Sequence, residues 1–290
     1  MVIAIRVVAV LLAVALLPAE AQERKGSLRM TVFELKLHGL AIALETPSGA
    51  VYFVDTGKES GDVDSGKHVL APFLRARGLK EIAGILISHP HRDHFEGASY
   101  LLKHFAVKSF VDAGVEDNDY ARLLTLAKDR GAAYRKVRAG DSLAWDDGLE
   151  VSVLAPPKDG VKSSENDAHN NNSIVLRIRH GRNVFLLPGD IEKEGRDSLL
   201  AAVPAETLRA DVLVAPHHGF FEGKKFAETV QPKTVIVSCL SEYSDKKPAS
   251  PGKLATSVFG AVGAKVYVTA WNGTVGVVSD GSTISVKSER

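Results

Sequence analysis

A single cysteine, Cys239, rules out an intramolecular disulfide in this chain. It lies in the apolar run TVIVSCL, residues 234–240, with no histidine or basic residue close by in sequence to activate a thiolate, so it reads as a small buried hydrophobe. An excess of one charge is also missing. Lys and Arg number 36 against 35 Asp and Glu, with no long run of either sign, so nothing demands a polyanionic partner. Nucleic-acid binding would have to come from local patches. There is no short-period repeat, no linker-like stretch, no serine-nucleophile motif and no P-loop. Asp62-Val63-Asp64-Ser65-Gly66 begins like a calcium loop, but the twelfth position of that frame is Phe73, which cannot ligate. What remains is an ordinary globular composition, 45% apolar and 24% charged. A length of 290 residues allows one large domain or two small ones, and the lack of a linker favours one.

The long apolar run stands at the start. Arg6 precedes VVAVLLAVALL, Pro18 breaks that run, and Ala19-Glu20-Ala21 supplies a small-residue cleavage pattern. Residues 1–21 are therefore expected to be a signal peptide and residues 22–290 the domain. The run is short for an uncleaved anchor, the competing reading, and no later segment is apolar enough to cross a bilayer. The expectation is an exported protein, periplasmic or extracellular, with no stable membrane partner after cleavage.

Strands are expected at 31–37, 40–45 and 50–54, then at 84–88. Helices are expected at His68–Gly78, 95–105 and Tyr120–Arg130, followed by strands near 134–137, 142–145 and 149–154. Pro156–Asn172 reads as a polar, structureless loop. Strand pairs at 173–180 and 182–187 follow, then strands at 212–214, 234–238 and 265–269 interspersed with helices near 192–202, 224–230 and 252–260. Short strands in mixed order with helices between them imply a layered domain on two sheets.

The chemistry concentrates in ISHPHRDHFEG, residues 87–97, directly after the apolar run 84–87. A buried strand ending there delivers its next residues to the sheet's carboxyl edge, where folds of this class place their sites. In extended backbone His89 and His91 point the same way and can grip one ion. Asp93 and His94 lie a turn further on, displaced from that ion, so the pattern suits two adjacent sites. Singly, such histidines cap helices or bond to backbone; as H-x-H-x-D-H after a buried strand they argue for metal. Imidazole and carboxylate without thiolate suit Zn2+ and tolerate Fe or Mn.

Two ions need more donors, and three places offer them. Asp190 follows the strand-like run 185–187 and the turn Pro188-Gly189, where its oxygen could bridge two cations or simply cap the next helix. His217 and His218 follow the strand 212–214 beside Gly219. His169 precedes the strand at 173–180, with Asn170, Asn171 and Asn172 beside it.

His89-x-His91-x-Asp93-His94, Gly189-Asp190 and His217 together resemble the metallo-β-lactamase-fold hydrolase superfamily. Within it the chain is similar to the extracellular domain of ComEC-type competence DNA-uptake channels. The similarity runs from about Leu28 to Gly281 and includes Val54-Asp55-Thr56-Gly57, Ser173 to Arg177, Ala210 to Leu213 and Pro216-His217-His218-Gly219. The resemblance implies an α+β fold, a four-layer αβ/βα sandwich in a single domain, with two zinc ions in a cleft between the sheets. His89, His91 and His169 would hold one ion, Asp93, His94 and His217 the other, and Asp190 would bridge them. His218 would face substrate and, with Asp93 orienting the water, act as a catalytic residue. Two such cations lower the pKa of a bridging water toward neutrality, giving a hydroxide that attacks a carbonyl or phosphoryl centre.

The substrate is less defined. The resemblance favours a phosphodiester, a nucleic acid or nucleotide, and Lys224-Lys225 and Lys246-Lys247 could serve it or could be ordinary surface. One departure stands out: relatives carry Gly-His-Pro where this chain reads Lys247-Pro248-Ala249-Ser250-Pro251, leaving Ser241, Tyr243 and the lysines as substitutes. The alternatives are acyl hydrolysis of a lactone, ester or β-lactam, and a non-catalytic exported binding protein.

Overall fold

The computed structural model describes residues 26–114, 117–163, 168–220, 223–240 and 250–290. The leader at 1–21 and residues 241–249, with Ser241, Tyr243, Lys246, Lys247 and Pro248, lie outside the described residues.

Two mixed sheets face each other. The first runs, in spatial order, Ala133–Lys136, Ser109–Asp112, Gly84–Leu86, Val51–Thr56, Ala41–Glu45, Leu28–Val32, Val275–Ser279 and Ile284–Ser288. The second runs Ser142–Leu143, Leu149–Ala155, Val175–His180, Asn183–Leu187, Val212–Val214, Thr234–Val237 and Lys265–Val268. In each sheet one half is parallel, fed by helical crossovers, and the other is antiparallel. The parallel strands read as short continuous apolar runs because both of their faces are covered. Alternate residues of both sheets, among them Met30, Ile42, Leu176, Ile178, Phe185 and Ile236, form the core between them. The opposite face of the first sheet, with Phe53, Ile85 and Phe110, packs on Leu70, Leu101 and Leu123 of the helices. The opposite face of the second does the same against Leu199, Phe226 and Phe259. The layers are helix, sheet, sheet, helix, the expected four-layer αβ/βα sandwich in a single domain.

Three expectations shift. The first strand is Leu28–Val32 rather than 31–37, because it pairs Leu28 to Ser279 and Val32 to Val275 across a C-terminal strand that local pattern had not marked. The helix at 68–78 begins and ends two residues earlier, as a wide turn, Gly66–Leu70, followed by Ala71–Ala76. Pro156–Asn172 holds a helical turn, Ala168–Asn171. Its asparagines act as brackets: Asn171 Oδ1 accepts from Glu192 N at 3.0 Å and Gly195 N at 2.7 Å, and Asn172 Oδ1 accepts from Val161 N at 2.7 Å. Among the described residues no helix is long and apolar enough to cross a membrane.

Candidate metal centre

Most of the site leaves the carboxyl ends of strands in the parallel halves, where the two sheets open toward each other; His169, on the turn before Val175–His180, and His38, between Leu28–Val32 and Ala41–Glu45, come from the antiparallel halves. From the first sheet, Val51–Thr56 carries Asp55 next to its last residue, and Gly84–Leu86 delivers Ser88, His89 and His91. Asp93 and His94 lie on the short helix Arg92–Phe95 that follows. From the second, Asn183–Leu187 runs into the turn before Asp190, and Val212–Val214 into the turn 216–219. The two edges are stitched by Ile174 N–H donating to Ser88 O at 2.9 Å.

Two buried carboxylates anchor the imidazoles. Asp190 Oδ2 lies 3.2 Å from His94 Nε2, 3.3 Å from His218 Nε2 and 4.0 Å from His89 Nε2. Gly189, at φ +58°, turns the chain there, and a Cβ on it would meet Ser173 Cβ at 2.7 Å, so the turn demands glycine. Asp55 works from behind: its Oδ2 is 2.8 Å from His94 Nδ1 and accepts from Ser88 Oγ at 2.8 Å, while its Oδ1 accepts from Ser88 N at 2.7 Å. With Nδ1–H donating to Asp55, the His94 lone pair at Nε2 faces the cluster. His218 is set the same way, its Nδ1 3.1 Å from the carbonyl of Ser238.

Asp93 Oδ2 stands 3.3 Å from His218 Nε2 and 3.6 Å from His38 Nε2. On the other flank His89 Nε2 is 3.0 Å from His91 Nδ1, and the His169 ring meets that of His91 edge-on at 5.5 Å. The structure thus brings together His89, His91, Asp93, His94, His169, Asp190 and His218.

His217 is not among them. The expectation placed His217 in the cluster and His218 on the substrate side, and the two occupy the reverse positions. Both residues are left-handed, at φ 47° and 53°, which spins the turn by one residue. The His218 side chain is 1% exposed in the cluster, whereas His217 is 29% exposed with Nδ1 3.2 Å from Glu192 Oε1. Sequence reasoning also missed His38, a lone histidine in a loop, and the orienting role of Asp55. The left-handed Asp55, at φ 57°, leaves a trace only as the Asp-Thr-Gly that closes a strand.

Burial opposes charge on all of these groups. At Asp190 the facing imidazoles of His94 and His218 outweigh it, and at Asp93 the His218 hydrogen bond and His94 do, so both carboxyls sit far below the usual range. The same burial at His94 is outweighed by Asp190 and Asp55, which raise it well above an ordinary histidine. At His218 Asp190 and Asp93 outweigh burial and bring it to about 9. His89 and His91 are pushed down by burial and by His94, and His38 falls to about 4 through burial and His218.

The donor set fits a metal centre. Ligands about 2.0–2.1 Å from a tetrahedral zinc stand about 3.3–3.4 Å from one another. The Nε2 atoms of His94 and His218, 3.2 Å apart, and their separations of 3.2 and 3.3 Å from Asp190 Oδ2 have that spacing. His169 Nδ1 is buried with no hydrogen-bond partner among the described residues, an atom that a cation would satisfy. Among those residues the ion-pair partners of Asp93 and Asp190 are all histidines, so no lysine or arginine neutralises the pair.

Residues 52–235 match the family described as the beta-lactamase superfamily domain. The chain is 36% identical over 177 residues to ComE operon protein 3 of Bacillus subtilis, covering 60% of this chain and 22% of that protein. It is 25% identical over 203 residues to competence protein ComA of Neisseria gonorrhoeae, covering 69% and 25%. These matches span only a fifth to a quarter of the relatives' length. Among solved structures, the metallo-beta-lactamase fold protein YhfI from Bacillus subtilis superposes with a TM-score of 0.58 at 13% identity, over 84% of this chain and 96% of that one.

Proposed function

The chain belongs to the beta-lactamase superfamily, and from that premise we propose that it is an exported, metal-dependent hydrolase of phosphodiesters, nucleic acid or nucleotide. The observation that carries the hydrolase reading is the convergence of His94, His218 and Asp190 within 3.3 Å of one another at the mouth of both sheets.

In this reading His89, His91 and His169 would hold one zinc ion and Asp93, His94 and His218 the other, with Asp190 available to both; the same donors would accept Fe or Mn. Bound cations would supply Lewis-acid charge and acidify a water molecule toward neutral pH. The protein supplies the rest. Asp190 and His94, with side chains 4% and 0% exposed, are sealed from solvent, so their geometry is held by Asp55 and Ser173 rather than by water. Asp93 is the open carboxylate, its side chain 22% exposed, and can orient an entering water. His217, paired with Glu192 on the rim, is placed to meet substrate rather than metal.

Phosphodiester chemistry is supported by the similarity to competence proteins and by Lys224 and Lys225, exposed at the start of the helix Lys224–Val230 that follows the His218 turn. Export is supported by the apolar leader in the sequence. The test is metal per chain together with hydrolysis of a phosphodiester, a β-lactam and a lactone, beside Asp93→Ala. Two cations and Asp93-dependent phosphodiester cleavage are expected. Cleavage of the β-lactam or lactone alone would replace the substrate assignment, and a metal-free chain would remove the hydrolase reading.

A further inference from the structure

We propose that His38 is a ligand of the second cation position, joining Asp93 and His218 from a loop that carries no metal motif. The inference rests on the metal-centre reading above and extends it to a residue outside the H-x-H-x-D-H, Asp190 and His217-His218 segments.

Three observations carry it. The first is donor geometry. His38 Nε2 is 3.6 Å from Asp93 Oδ2, which is itself 3.3 Å from His218 Nε2. One donor atom from each of His38, Asp93 and His218 lies within 4.8 Å of the others, a compact three-donor set. The two separations to Asp93, 3.3 and 3.6 Å, are close to the edge of about 3.3–3.4 Å expected between ligands of one zinc ion.

The second is that the backbone is built to deliver this side chain. Gly39, at φ +150°, lies so near the metal loop that a Cβ would stand 2.4 Å from Asp93 O. Leu40 N–H donates to that same carbonyl at 3.1 Å. The loop holding His38 is therefore fastened to the backbone of a residue it would ligate beside.

The third is a shared support on the other side. Ser238 donates through Oγ to Gly39 O at 2.8 Å, and its own carbonyl lies 3.1 Å from His218 Nδ1. One residue thus holds the His218 ring and the backbone next to His38, and the two imidazoles have ring centroids 4.2 Å apart. His38 and His218 are positioned as a pair, from opposite sheets, both facing Asp93.

The chemical consequence is a richer shell. Asp93, His94, His218 and Asp190 already make four donors, so His38 makes a fifth. A five-donor position departs from the tetrahedral preference of structural zinc and suits an expanded zinc shell, iron or manganese.

The test is metal binding itself, read without turnover. Wild type, His38→Ala, His38→Gln and the rim control His217→Ala are titrated with Co2+ and Zn2+, reading stoichiometry, stepwise affinity and the cobalt electronic spectrum. Far-UV circular dichroism and thermal unfolding confirm the fold of each variant. The expected result is two cations in wild type and His217→Ala, with second-step affinity at least tenfold weaker and an altered cobalt spectrum in His38→Ala. His38→Gln is expected to show the same spectral change with the side-chain volume kept. Unchanged affinity and spectrum in both His38 variants would overturn the assignment while leaving the metal centre standing. A wild-type chain that binds no cation would overturn both.

Discussion

Asp55 Oδ2 and His94 Nδ1 are 2.8 Å apart, both side chains fully buried, and the pair fixes which nitrogen of His94 faces Asp190. Because Asp55 also takes both the N–H and the hydroxyl of Ser88, one carboxylate sets the start of the metal loop and its last histidine. Outer partners of this kind govern ligand orientation and basicity. Asp55→Asn keeps the shape but loses the anionic acceptor, so metal affinity or turnover should fall about 10–100-fold. Competition with a chromophoric chelator measures the first and steady-state hydrolysis the second.

The neighbours His217 and His218 should behave oppositely. His218→Ala removes a buried imidazole facing Asp93 and Asp190, and both metal content and turnover should collapse. His217→Ala removes only the rim contact to Glu192, so metal content should hold while any loss shows in substrate affinity. Elemental analysis of the two purified variants separates these outcomes. Equal metal loss in both would contradict the observed turn.

Between the sheets, Leu176 is fully buried in the strand Val175–His180, among residues of both layers. Leu176→Ala should cost about 2–5 kcal/mol, the range for a core truncation whose cavity collapses only in part. A lowered urea midpoint with unchanged slope is the expected signature.

A small, separable share of the acid sensitivity should come from Asp146. It accepts from the backbone N–H groups of Ser48 and Gly148, each at 2.9 Å. Partial burial raises its carboxyl, but the Ser48 and Gly148 hydrogen bonds outweigh that and bring it from 3.8 to about 2. A carboxyl depressed by folding stabilises above its unfolded pKa, and that stability is lost as pH falls through the folded value. Wild type should therefore exceed Asp146→Asn in stability at neutral pH, with the difference closing between about pH 4 and pH 2. Solvent screening at this open turn keeps the difference under about 1 kcal/mol. Chemical denaturation at a series of pH values checks it.

The legible parts of this protein are the ones that short-range pattern encodes. His89, His91, Asp93 and His94 could be read as a unit because they occupy one strand end and the turn after it. Asp190 was visible for the same reason, as an acid after an apolar run and a Pro-Gly turn. The layered architecture followed from continuous apolar runs alternating with amphipathic helices. Leu28–Val32 was misplaced and Val275–Ser279 went unread because their identity comes from pairing with each other across the whole chain, and the edge strand Ile284–Ser288 in turn pairs only with Val275–Ser279. The choice between His217 and His218 hinged on two consecutive left-handed residues, a conformation that side-chain type alone does not announce. His38 was invisible because a lone histidine in a loop carries no spacing.

By itself, then, the sequence determined the fold class, the metal-binding character of the loop after the strand Gly84–Leu86, and the acid that faces it. The tertiary structure decided which histidine of the adjacent pair turns inward, that Asp55 orients His94, and that His38 stands against Asp93. The physical reason is range. Period and spacing act over a few residues, whereas these three outcomes depend on how two sheets, one drawn from residues 28–136 and 275–288 and the other from residues 142–268, close on a shared edge.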